Sequence, residues 1–161
     1  MKQKILLTLL AFNMTIVGPA LAATDQASHS HEHSNAAPTQ QLNAGQKWET
    51  DAALRQSMSN IRQAMTAALQ QIHENRLPTK DYDRLAKKVE SEVGNIVANC
   101  KLAPAADAQL HLIVADLLEG AEQMAGKNKA VKRQHGAVGI IGALEKYATY
   151  FDDAGFKPIT H

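Results

Sequence analysis

Apolar residues recur at helical intervals from Leu54 to Phe151. Leu54, Met58, Ile61, Met65, Leu69 and Ile72 follow one another at steps of 4, 3, 4, 4 and 3, which puts them on one face of a helix. Thr50 or Asp51 can accept from the open amides at its start, and Pro78 keeps it from running on. A second helix is predicted from Lys80 to Cys100, with Thr79 as its cap and Asp81 and Asp83 at its positive end. Its stripe is Tyr82, Leu85, Val89, Val93, Ile96 and Cys100. The third, Ala105 to Ala125, carries Leu110, Ile113, Val114, Leu117, Ala121 and Met124, with Pro104 suited to its first turn and Gly126 to its end. The fourth, Arg133 to Asp153, carries Val138, Ile141, Leu144, Ala148 and Phe151, with Gly155 and Pro158 beyond it.

No alternating strand pattern of useful length appears. Four helices of similar length joined by short connections predict an all-α fold, an antiparallel up-down-up-down four-helix bundle over residues 47–157, with 158–161 as a short tail. Gly136, Gly139 and Gly142 each cost roughly 1 kcal/mol against Ala inside a helix. Their spacing makes a smooth strip that suits tight helix packing, or the approach of a ligand, a protein partner or a second copy.

The first 46 residues follow a different pattern. Lys2 and Lys4, the apolar run Ile5–Val17 and the small residues Ala20-Leu21-Ala22 read as a secretory signal peptide over 1–22, too short in its apolar part to span a bilayer. The expected product is exported through the general secretory route to a Gram-negative periplasm, with no stable membrane insertion once the signal is removed. Residues 23–46 are polar, rich in Ser, Ala, Gln, Thr and His, and predict a disordered tail. Loss of Lys2 and Lys4 leaves 15 basic residues against 16 acidic ones, a balance that offers no footprint for nucleic acid. Lys127, Lys129, Lys132 and Arg133 cluster around a predicted loop and read as a solvated turn. Cys100 is the sole cysteine, so the core holds the fold without an internal disulfide.

Antiparallel helices would collect Met58, Cys100, His111 and Tyr147 at one end and His73, Met124 and His135 at the other. A thiol, an imidazole and a thioether are soft donors that suit copper(I), which makes Cys100, His111 and Met58 the candidate metal site. The bland reading stands beside it: Cys100 and Met58 continue apolar stripes, and His111 borders one. His29, His31 and His33, with Glu32 between them, can fold around a copper, nickel or zinc ion on a flexible segment. The sequence has no HExxH pair, nucleophile elbow or glycine-rich phosphate loop, so a non-enzymatic protein is expected. Covalent haem is excluded by the lack of C-x-x-C-H, and no histidine lies within 144–154 to serve a b-type site late in the fourth helix.

In length, export and helix count the chain resembles the cytochrome c′ and cytochrome b562-type bundles, without their haem motif. A closer resemblance rests on Val97-Ala98-Asn99-Cys100-Lys101-Leu102, Ala106-Asp107 through Leu110-His111, and Ala143-Leu144 through Tyr147 to Phe151-Asp152, together with Trp48 and Leu54-Arg55. These segments resemble small exported proteobacterial proteins of a DnrO-like family, over about Lys47 to Pro158. The resemblance implies a periplasmic home and directs attention to Cys100 and His111; it imports no activity. The expected function is metal binding, copper above all, in buffering or stress tolerance. The rivals are a helical interaction module and a b-type haem bundle.

Overall fold

The computed structural model describes residues 38–159. Four helices run in order: α1 (Ala52–His73), α2 (Thr79–Asn99), α3 (Pro104–Met124) and α4 (Arg133–Tyr150). A pair of two-residue strands, β1 (Trp48–Glu49) and β2 (Phe151–Asp152), flanks them as a parallel ladder with Trp48 opposite Phe151. That ladder departs from the expected fourth helix, which ends at Tyr150 because Phe151 turns extended and joins the residues preceding α1.

Leu54, Met58, Ile61, Met65 and Ile72 are all fully buried, as the stripe of α1 predicts. Asp51 caps this helix, its side chain accepting from the Leu54 amide at 2.8 Å. The predicted cap of α2 differs. Thr79 is already helical, and Pro78 stands before it with no side-chain cap. Pro104 opens α3 as expected, and Gly126 follows it with φ +73°, the left-handed conformation that ends helices.

The predicted stripe of α4 holds at Ile141, Leu144 and Phe151, with Ala148 packed beside the core, and fails at Val138. Val138 is 54% exposed, while Ala137, Ile140, Ile141, Ala143, Leu144 and Tyr147 face the core. Small residues let the buried side of α4 come close to α3. α3 and α4 meet through Gly120 and Gly136, where a Cβ on Gly136 would stand 2.7 Å from the Met124 amide and closer still to the Gly120 carbonyl. A Cβ on Gly139 or Gly142 would meet nothing within 4 Å, so the three glycines do not act as one strip.

The connections show which helix ends meet. Lys101 N donates to Asp51 Oδ2 at 2.6 Å, joining the start of α1 to the end of α2. Gln134 Nε2 donates to the Ile72 carbonyl at 2.6 Å, joining the end of α1 to the start of α4. Arg133 reaches both Asp83 Oδ1, at 2.5 Å, and the Met124 carbonyl, so this member of the basic cluster is a tie between α2, α3 and α4 and not a solvated turn residue.

The described end of the expected tail is hydrogen-bonded to α3. Within 38–46, Gln40 Nε2 donates to the Gln109 carbonyl and the Gln41 amide to Gln109 Oε1, both at 2.7 Å, and Trp48 Nε1 returns to the Gln41 carbonyl. Asn43 to Gln46 closes a tight turn, with Ala44 and Gly45 at φ +48° and +86°. Polar side chains hold this strap, which is why its low hydrophobicity hid it.

Among the described acidic residues, Glu92 is buried, between α1 and α2. Asn60 Nδ2 at 3.1 Å and Lys88 Nζ at 2.5 Å donate to its carboxylate, with Asn95 at 3.4 Å. Burial pushes this carboxyl up, but the hydrogen bonds from Lys88, Ser57, Asn95 and Asn60 outweigh it and hold the group below its ordinary range.

Two outcomes follow from this packing. Gly136→Ala should destabilise the fold by about 1–3 kcal/mol through overpacking, whereas Gly139→Ala should stabilise it by up to about 1 kcal/mol; urea unfolding of both variants checks the contrast. Because the Glu92 carboxyl is depressed on folding, its contribution is present above the unfolded value and lost as pH falls through the folded one. The difference in urea midpoint between the native chain and Glu92→Gln should therefore be widest above about pH 5 and shrink on acidification.

Candidate metal centre

Asp51 builds the end of the molecule at which the candidate residues gather. Its backbone is extended, at φ −98° and ψ 174°, so the carboxylate folds back over the first turn of α1. One oxygen takes the Leu54 amide and the other takes the Lys101 amide. The Cys100 thiol, on the residue before Lys101, donates to the same carboxylate. Burial raises the Asp51 carboxyl, yet the hydrogen bonds from Leu54, Lys101 and Cys100 and the charge of Arg55 hold it below the usual carboxylate range.

Cys100 is a free, half-buried cysteine at the C-cap of α2. Burial, the Asp51 charge and hydrogen bond, and the Asp107 charge together push its thiol up to about 12. At neutral pH the sulfur therefore keeps its proton, which suppresses nucleophilic chemistry. The surrounding negative charge that disfavours a thiolate favours any cation that takes the proton's place.

His111 sits two turns into α3, with its side chain 72% exposed. Its Nδ1 lies 2.8 Å from the Asp107 carbonyl and 3.4 Å from Asp107 Oδ2, one helical turn earlier. A proton on Nδ1 donated to that carbonyl leaves the Nε2 lone pair as a donor to a metal. Cys100, Asp107 and His111 line one partly open cavity of about 220 Å³, together with Ile96, Val97, Leu110 and Val114.

The remaining predicted residues distribute differently. Met58 is fully buried in the core and does not line this cavity. Tyr147 belongs to the same end: its hydroxyl donates to Asp153 Oδ2 at 2.9 Å, and its ring stacks on Phe151 and meets Phe156 edge-on. Burial first, and Asp153 second, push that phenol far above its ordinary value. Of the opposite group, Met124 is core and His73 and His135 are exposed. The predicted signal segment 1–22 and His29, His31 and His33 lie outside the described residues. Among the described residues, no group of three or more His, Cys, Asp or Glu side chains is arranged to hold a metal ion.

Sequence reasoning misses Asp51 and Asp107 as members of this site. Asp51 is legible as a helix cap, and Asp107 stands four residues before His111, the spacing that puts two side chains on one helical face. Neither signal reveals that both carboxylates bear on Cys100, because that depends on how α1 meets the junction of α2 and α3.

Removing the Asp51 carboxylate should cost a cap and a junction together. Asp51→Ala is expected to destabilise the protein by more than the ~1 kcal/mol of an ordinary cap loss, and Asp51→Asn, which keeps an accepting oxygen for Leu54, by less than Asp51→Ala. Chemical denaturation of the two variants measures both. No protein-family model, curated protein or solved structure matches the chain, so the Asp51–Cys100–His111 geometry is the ground on which its function is read.

Proposed function

We propose that this chain is a periplasmic metal-binding protein that buffers copper, holding one Cu(I) ion between Cys100 Sγ and His111 Nε2. The observation that carries the reading is the single small cavity that these two residues share. Two soft donors suffice for a monovalent copper ion, which tolerates low coordination numbers, so a third or fourth protein ligand is not required. The carboxylates of Asp51 and Asp107 supply an electrostatic setting that welcomes a cation. A thiol that stays protonated when empty is also protected from oxidation in an oxidising compartment. His29, His31 and His33 would act as a capture arm on the segment that precedes residue 38. Met58, sealed in the core, has no part in this site.

The periplasmic address rests on the signal-like pattern of residues 1–22 and on the resemblance to exported proteobacterial proteins. A second reading, a non-enzymatic interaction module, is favoured by one observation: Gly139 and Gly142 are open on α4 beside the exposed Val138. A partner helix or a second copy could approach there.

Anaerobic Cu(I) titration against a competing chelator separates the two readings. The metal reading predicts one equivalent bound, lost with Cys100→Ala, weakened by His111→Ala, and kept when His29, His31 and His33 are all changed to Ala. Because the thiol is raised to about 12, binding must expel its proton throughout the neutral range. Affinity should then rise about tenfold per pH unit. Binding that is lost only with the three tail histidines would confine metal to the arm, and no binding at all would favour the interaction module.

A further inference from the structure

A second cavity, of about 610 Å³, shares no lining residue with the Cys100 cavity. Arg55 and Ser59 of α1 form one wall, and Asp152, Asp153 and Phe156, beyond α4, form the other. The two walls are tied together through Thr50. Arg55 Nη1 donates to the Thr50 carbonyl at 2.6 Å and to its hydroxyl oxygen at 3.0 Å, while Thr50 Oγ1 donates to the Asp152 carbonyl at 2.6 Å. Asp153 is already committed, accepting from the Tyr147 hydroxyl on one oxygen and from the Gly155 amide at 3.2 Å on the other.

What remains is one edge of the Arg55 fork and the side-chain carboxylate of Asp152. These opposite charges line the same cleft, yet among the described residues neither forms an ion pair, with the other or with any third group. A guanidinium held by one edge is oriented for a two-pronged grip on a carboxylate with the other edge. A carboxylate across the cleft is a matching seat for an ammonium group. A molecule carrying both ends would satisfy both walls at once, which neither wall does for the other.

We propose that this cleft binds a small zwitterion, an amino acid whose carboxylate sits on Arg55 and whose ammonium sits on Asp152, with the Ser59 hydroxyl beside it. The cavity lies within the size range of small-molecule sites. Such binding uses none of the residues that line the Cys100 cavity.

The test is a nuclear magnetic resonance titration of the isotopically labelled full chain with glycine, β-alanine and 4-aminobutyrate, which span increasing distances between the two charges. Acetate and methylammonium serve as single-ended controls. At least one zwitterion should give saturable shifts at the Gly155 amide and the Arg55 side chain. Its affinity should exceed that of either control by about tenfold, and Arg55→Gln and Asp152→Asn should each reduce it by about tenfold, the worth of one charged hydrogen bond. Asp152→Asn leaves the backbone carbonyl that holds Thr50, so it removes the charge and keeps the wall. The proposal is overturned if no zwitterion saturates, if acetate binds as tightly as the best of them, or if Asp152→Asn leaves binding unchanged.

Discussion

Asp51 places the start of α1, the junction of α2 and α3, and the candidate cysteine under the control of one carboxylate. Its two oxygens are taken by main-chain amides far apart in sequence, Leu54 just ahead and Lys101 at the far side of α2. A buried or half-buried carboxylate is costly unless its lone pairs are filled, and here the backbone fills them. The rest of that end follows from this constraint. With α1 fixed against the end of α2, Cys100 faces Asp51, and α3 begins where Asp107 and His111 can border the same cavity as the thiol.

The opposite end uses a different solution. Arg133 binds Asp83 and the Met124 carbonyl, so a cation near the last turn of α3 answers the negative pole of that helix while it holds α2 in place. Between the two ends, Gly120 and Gly136 allow α3 and α4 to approach backbone to backbone, and Glu92 fixes the facing of α1 and α2 through polar partners. A core with a single cysteine is thus specified by a few polar and small residues set among ordinary apolar ones.

Helix number, the stripe of α1 and most helix ends were legible in the sequence because each rests on local spacing and on caps or breakers such as Asp51, Pro104 and Gly126, whereas the end of α4 at Tyr150 depends on pairing with β1. The face of α4 was legible at Ile141, Leu144 and Phe151 but not at its edge, because its buried side includes glycine and alanine as well as large apolar residues, and Val138 imitates a core position while standing exposed. The strap over residues 38–46 was hidden for a related reason: hydrogen bonds to Gln109 hold it, and composition records only burial potential. At the candidate site, helix order placed Cys100 and His111 at one end of the bundle, but whether their side chains border one cavity depends on packing that spacing does not record. The electrostatics were not legible either, since they depend on Asp51 arriving from another helix and Asp107 from the next turn.

The chemistry that emerges is that of a thiol kept in reserve. Burial and two carboxylates keep the Cys100 thiol protonated, and on the proposed copper reading a soft cation is the agent that displaces its proton. X-ray absorption at the copper edge of the protein loaded anaerobically with one equivalent of Cu(I) examines that claim at the atoms concerned. The metal should show a shell of one sulfur and one imidazole nitrogen, with the sulfur lost in Cys100→Ala. A shell of nitrogen and oxygen alone in the native chain would contradict it.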